Sequence, residues 1–560
     1  MVRETPVRSS RTSILARFLI VPVALAALIG PVTAQALDLQ ETRVQGEVVR
    51  RALALGERGD WGGAEALAHG TRDVVVQDIV LWRKLRAGAG SVPEYQSFVA
   101  RRGTWPGLDH LAEAVLGSRP GVTDDGGSRL TPAANARWSE FSSLWKKRDY
   151  DAAEVYLAGV GPAEMGNPKL WAERRAILAR RAAREGRGRL AYGLASAHGL
   201  TPADGYDYSD HEWLAGWIAL RQLNDPALAA GHFQRFEVSV ETPISLGRGG
   251  YWLGRALEAA GDTAGARAAY ERAARHQTSF YGQLAAAAIG VPGDPAITAT
   301  DLPDWQRSPV TRSDDVRMAA IVHFAGEDGL AFQTFTHLAE HLDGGAALGA
   351  LADLALELDR PHYAVRIAKK ATRKGEVLMP AYYPVTELAA YVSAVEPALA
   401  MSIARQETEL NPRAISHAGA RGLMQVMPAT AKKVAGWIGE DYSPERLTED
   451  WRYNARLGQT YLSRRIEEFG GSYVLAAAAY NAGKGRVDEW IGKYGDPRLP
   501  GTDMIDWIEN IPFSETRNYV QRVIEGVYVY RARLSGQAGE MTIIADLARG
   551  VRCGAQTVTC

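Results

Sequence analysis

The chain has 560 residues, too many for one ordinary hydrophobic core, so three or four domains are expected. Its formal net charge is −1, with 64 Lys and Arg against 65 Asp and Glu, which leaves no basic footprint for nucleic acid and argues against any polyanion-binding role. The only two cysteines, Cys553 and Cys560, could close a small terminal loop in an oxidising compartment and are assigned no chemistry.

The first 36 residues differ in character from everything that follows. Arg3, Arg8, Arg11 and Arg17 precede the apolar run Phe18 to Ile29, followed by Pro31 and Ala34-Gln35-Ala36. This is the order of a secretory signal, with cleavage expected after Ala36. An uncleaved anchor is the alternative. The run is broken by Pro22 and falls short of the roughly 20 residues a bilayer span needs. No cysteine stands directly after it, so lipid attachment at such a cysteine is excluded and no permanent membrane anchor is expected.

Residues 37–300 read as short amphipathic helices separated by Gly, Asp and Pro turns, the pattern of an all-α helical solenoid. A loose echo recurs: Asp60 with Ala64, Asp149 with Ala153, Asp225 with Ala229, and Asp262 with Ala266. In each copy the small Ala, four residues after the Asp, lets a second helix pack closely. The fullest copy, Trp252-Leu253-Gly254 through Tyr270 and Ala273, resembles a tetratricopeptide unit. Irregular spacing makes this a degenerate superhelical array. Its aromatic residues, Trp213, Trp217, Tyr251 and Trp252, are expected to be packing and not sugar platforms. Between Gly290 and Pro309 the composition shifts to Pro, Gly and Thr, which marks a boundary. A smaller helical segment over 301–388 is expected to lead into a domain over 389–540, with 541–560 as a tail.

The chemistry concentrates in that last domain. Pro397 suits a helix first turn and Asn411-Pro412 is a stop signal, so a helix is predicted over 397–410. At about 100° per residue, Leu399, Ala400, Ile403, Ala404 and Leu410 share one sector with Glu407 in its middle. A carboxyl on an apolar face has a raised pKa, which is what a general acid needs near neutral pH. Glu409 falls on the other side with Arg405 and is expected to face water.

Three blocks occur in order: the Glu407 helix, Gly422-Leu423-Met424-Gln425, and Ala479-Tyr480-Asn481-Ala482-Gly483. Together they resemble the soluble lytic murein transglycosylases, most specifically over 390–535 and only architecturally over 37–385. The resemblance implies an N-terminal helical solenoid carrying a C-terminal lysozyme-like α domain. It implies cleavage of the bond between N-acetylmuramic acid and N-acetylglucosamine in peptidoglycan, with Glu407 acting first as acid and then as base so that the muramic acid C6 hydroxyl replaces water. It further implies substrate contacts from Ser416, Gln425 and Met427, with the Tyr480 hydroxyl near the Glu407 carboxylate and Asn481 fixing that loop. Simpler roles stand beside these: Ser416 as a turn former, Met427 as core, Asn481 as a helix C-cap. Thr408 stands where the family usually has Ser, and the hydroxyl survives.

Glu515 matches a similar Glu-Thr-Arg run of the family, although at a helix start it also complements the helix dipole. His417 has no second ligand at a useful spacing, so no metal and no cofactor are expected. The expected setting is periplasmic, with glycan strands as substrate and other cell-wall enzymes as candidate partners. Two rivals remain: a muramidase that adds water to the same bond, which needs a second carboxylate, and a scaffold that uses the solenoid only to bind partners.

Overall fold

Each Asp of the internal echo begins a helix. The carboxylates of Asp60, Asp149, Asp225 and Asp262 accept from the backbone N–H of Gly63, Ala152, Leu228 and Gly265 at 2.8–3.1 Å. Such an N-cap contributes about 1 kcal/mol. The residue before each is left-handed, at Gly59, Arg148, Asn224 and Gly261. In three copies the Asp N–H also returns to a carbonyl five residues back, at Leu55, Leu144 and Leu257, closing the preceding helix. The recurring Asp therefore ends one helix and starts the next. The Ala four residues on is buried in all four copies.

The coordinates, a computed structural model, describe residues 37–116 and 130–551. The expected signal segment and both cysteines lie outside the described residues. From Leu39–Gly56 to Leu108–Leu116, and again from Pro132–Lys146 to Phe280–Ala288, the described chain is a succession of helices packed on their neighbours. In the tetratricopeptide-like copy, helix Pro243–Ala259 lies against Thr263–Ala273. A Cβ on Gly254 would fall 2.4 Å from the Tyr270 ring, so only glycine permits this approach. Trp213, Trp217, Tyr251 and Trp252 are all buried, as packing residues should be.

Between Ala288 and Asp314 only two short 3-10 turns form, Pro295–Thr298 and Pro309–Arg312. Four helices follow, Asp314–Phe324, Asp328–His341, Gly345–Glu357 and Pro361–Arg373. The first returns to the start of the chain. A Cβ on Gly46 would lie 2.5 Å from that of Phe324, and Arg102 reaches Asp314 at 2.7 Å. The Trp105 indole N–H donates to Asp315 at 2.9 Å. The superhelix thus folds back on its own first helices, a point the spacing of the repeats left open.

The C-terminal domain is helical too. Among the described residues there is no strand, only two isolated bridges, Ile415 with Arg421 and Arg421 with Val426. Its long helix Ser514–Ser535 lies on the Glu407 helix, Pro397–Thr408, at a point of contact made by Gly526 and Ser402. A Cβ at Gly526 would sit 2.1 Å from the Ser402 hydroxyl, which donates to the Val523 carbonyl at 2.7 Å. The same long helix seats the domain on the solenoid. The Phe280 N–H donates to Glu525 at 2.6 Å and the Gln283 amide to the Glu525 carbonyl at 3.0 Å. Beside it, buried Glu509 meets Arg248 at 3.2 Å, Gln521 at 2.8 Å and the Tyr281 hydroxyl. A buried carboxylate tolerates such a place only with partners of this kind. No helix among the described residues is long and apolar enough to cross a membrane.

Candidate active site

Helix Pro397–Thr408 stops two residues earlier than its apolar pattern predicts. Glu409 and Leu410 are both left-handed, at φ of 56° and 72°, and turn the chain toward Asn411-Pro412. This turn corrects the expectation for Glu409. Its carboxylate does not face water but pairs with Lys369 at 2.7 Å and Arg366 at 3.0 Å on the preceding helical segment. Arg405 is buried as well, donating to the Tyr382 carbonyl at 2.7 Å with its guanidinium 3.8 Å from the Tyr383 ring centroid. A wheel drawn for one helix has no view of a second element covering its far side.

Glu407, one residue before the end of the helix, is half-buried. Its Oε1 accepts from the Tyr519 hydroxyl at 2.7 Å, and among the described residues no ion pair holds it. Burial pushes its pKa up to about 7, the Tyr519 hydrogen bond pulls it down, and the charge of Glu515 adds to the rise. Near neutral pH the group can therefore both give and take a proton. Tyr519 and Glu515 are four residues apart and share a face of the long helix. That spacing was the available signal for Tyr519, which sequence reasoning passed over in favour of Glu515.

The second block forms a tight turn beside this carboxyl. The Thr408 hydroxyl, replacing the family's usual Ser, donates to the Leu423 carbonyl at 2.9 Å and so ties the helix to the turn. Gly422 has φ of +73°, and a Cβ there would lie 1.9 Å from the Leu447 carbonyl. Buried Asn454 binds the turn on its other side, accepting from Met424 N–H at 2.8 Å and donating to the carbonyls of Arg421 and Leu447 at 2.8 and 3.0 Å. Nothing in the local pattern singled out Asn454.

The remaining expected residues take distinct places. Gln425 is left-handed at φ 49°, and its amide donates to Ala414 and Gly422 carbonyls at 3.2 and 3.0 Å, so it braces the turn. Ser416 accepts from Ala420 N–H at 2.9 Å within its own turn. Met427 is 42% exposed at the start of helix Pro428–Ile438, which excludes a core role. Tyr480 and Asn481 lie in the last turn of helix Tyr473–Ala482 and not in a loop. The Tyr480 hydroxyl donates to the Met424 carbonyl at 2.7 Å, and the charge of nearby Glu407 adds to the burial that raises its pKa. The direct donor to Glu407 is Tyr519. Asn481 accepts from the Thr516 hydroxyl at 2.6 Å, joining the third block to the long helix. Among the described residues no cluster of His, Cys, Asp and Glu could hold a metal ion.

Residues 385–498 match the family model described as Transglycosylase SLT domain, so Glu515 and Tyr519 come from beyond the matched segment. A soluble lytic murein transglycosylase of Salmonella typhimurium is 43% identical over 134 residues, 24% of this chain and 20% of the relative. One from Escherichia coli strain K12 is 41% identical over 133 residues, again 24% and 20%. The match thus spans about a fifth of the length of these curated relatives. The crystal structure of the 70 kDa soluble lytic transglycosylase from Escherichia coli aligns over 92% of this chain and 100% of that one, with a TM-score of 0.54 and 19% identity, which shows a common fold. Residues 385–498 thus match the Transglycosylase SLT domain, and the chain shares a helical fold with that solved structure.

Proposed function

We propose that the protein is a periplasmic lytic transglycosylase that cleaves the β-1,4 bond between N-acetylmuramic acid and N-acetylglucosamine without water. The observation that carries this reading is one half-buried carboxyl, Glu407, poised near pH 7 with a neutral hydroxyl as its donor. Because Tyr519 binds Oε1, Oε2 is left to carry the proton. Protonated Glu407 gives that proton to the glycosidic oxygen, and the bond to the muramic acid C1 breaks, with the sugar's own acetamide supplying electron density at C1. The C6 hydroxyl of the same sugar then attacks C1 and its proton passes to the Glu407 carboxylate. The residue ends as it began, and the product carries a 1,6-anhydro ring.

In this reading Met427 and Ser416 line the groove, Gln425 and Thr408 hold the turn in place, and Tyr480 and Asn481 fix the opposite wall. Glycan strands are the substrate, and the outer surface of the superhelix is left for other cell-wall enzymes. Glu515 gives the muramidase alternative its one specific support, since it is a second carboxylate whose charge reaches Glu407.

Product mass separates the two. An anhydro end is about 18 mass units lighter than the reducing end left by water. Residues 37–560 incubated with peptidoglycan in labelled water should release anhydromuropeptides with no label. Reducing muramic acid ends that carry the label would make the enzyme a hydrolase and Glu515 the candidate base.

A further inference from the structure

The C-terminal domain holds a depression of about 630 Å³ between helix Pro428–Ile438, helix Trp451–Glu468 and the stretch Ser393–Ala394. Two of the elements around it place it at the opposite end from Glu407 and from Met427. Glu407 is at the end of its helix, whereas Ser393 precedes the beginning. Met427 is at the start of Pro428–Ile438, whereas Trp437 is in its last turn. At 1.5 Å per residue each path is about 15 Å. The depression is therefore separate from the carboxyl and its turn.

Its lining is mixed and close to neutral. The half-buried Trp437 indole carries the Arg464 guanidinium 4.1 Å from its ring centroid, and Arg464 is also paired with Glu468 at 3.5 Å. Glu468 is shared with Arg465 at 2.9 Å and Lys433 stands 5.6 Å from the same ring centroid, so with Glu467 at the edge the charges nearly cancel and favour neither a strong anion nor a cation. Thr460 and Ser463 add hydroxyls. Below them Gln459 is only 2% exposed, and its side-chain oxygen accepts from Ser393 while its amide nitrogen has no partner. Leaving such a donor buried and unpaired costs about 1–3 kcal/mol. An aromatic ring, a planar cation, hydroxyls and an amide short of an acceptor form a polar constellation around an apolar platform. The ligand that matches is neutral, rich in hydroxyls and equipped with an amide carbonyl.

We infer that this depression is a second sugar site, which binds N-acetylated hexosamine units of a glycan strand away from Glu407. The identity of the strand rests on the peptidoglycan reading of the domain, while the chemistry of the site does not. A strand held there and at Glu407 together would stay on the enzyme between cuts.

The test uses the full chain carrying Glu407→Gln and 5-fluorotryptophan, titrated with N-acetylated chitotriose and followed by fluorine NMR. Trp437→Phe identifies the Trp437 resonance. Chitotriose should shift that resonance saturably, and Ser463→Arg or Thr460→Arg, each filling the depression from the solvent side of its helix, should abolish the shift. In the active chain both should raise KM on intact peptidoglycan several-fold. A Trp437 resonance that chitotriose leaves in place, or that moves equally in both Arg variants, overturns the site. The titration does not depend on turnover, so a failed cleavage assay would overturn the reaction proposed for Glu407 and leave this result standing.

Discussion

The long helix Ser514–Ser535 touches two carboxyls whose surroundings are opposite. At its beginning Tyr519 donates to Glu407, which keeps solvent access and one oxygen uncommitted. Two turns later Glu525, 1% exposed, is sealed against the solenoid by the Phe280 N–H and by Arg522 at 3.1 Å. Burial pushes both pKa values up to about 7, even though cations pull at Glu525 and none pulls at Glu407. A displaced pKa therefore does not pick out the reacting group. In the reaction proposed above, what sets Glu407 apart is solvent access and an oxygen free to carry a proton, and Glu525 has neither.

The largest effect should separate the two at once. Glu407→Gln keeps the shape of the side chain but cannot deliver a proton, so cleavage should fall by about 10²–10⁴-fold or more. Glu525→Gln should leave turnover within about twofold, since the amide can still accept from Phe280. Equal losses in two folded variants, judged by circular dichroism, would break the contrast.

Next in size is the pH dependence. For both groups the folded-state pKa lies above the ordinary 4.5, so the unfolded chain ionises first as pH rises. Native stability should therefore fall between about pH 4.5 and 7 and stay reduced above that. Glu407→Gln should remove its share, about 1–3 kcal/mol at pH 8 after allowing for partial exposure. Urea unfolding at pH 5 and pH 8 checks the sign, and a variant stabilised at pH 5 instead would contradict it. Activity of the parent should decline as pH passes through about 7, as the acid form is lost.

Tyr519→Phe sharpens the same picture. Without the hydroxyl the ionised carboxylate loses its donor, so the alkaline limb of the activity profile should move up by about one unit while turnover drops about tenfold. An unmoved limb would mean that Tyr519 only packs. Tyr480→Phe, which removes a bond to the Met424 carbonyl and not to Glu407, should cost about 1 kcal/mol of stability and leave the limb in place. The smallest effect is expected from Glu409→Gln. It breaks partly exposed pairs with Arg366 and Lys369, so it should cost no more than about 1 kcal/mol and leave turnover intact.

Local pattern was enough to read the helical class, the recurring Asp and Ala, and the place of Glu407 on an apolar face, because each depends on residues within a turn or two. An Asp after a left-handed residue caps a helix wherever it stands, and a carboxyl among Leu399, Ile403 and Ala404 sits on an apolar face in any all-α domain. The partners of these groups needed the tertiary structure. Glu407 meets Tyr519 across 112 residues because Gly526 and Ser402 let two helices touch. Glu409 is covered because a helix some 40 residues earlier passes over it. Gly422 is required by the Leu447 carbonyl, and the turn it makes is held by Asn454, both from other segments. The return of the superhelix to its first helices depends likewise on Gly46 meeting Phe324. Periodicity specifies which face of a helix is apolar, and only the packed chain specifies what that face and its opposite will meet.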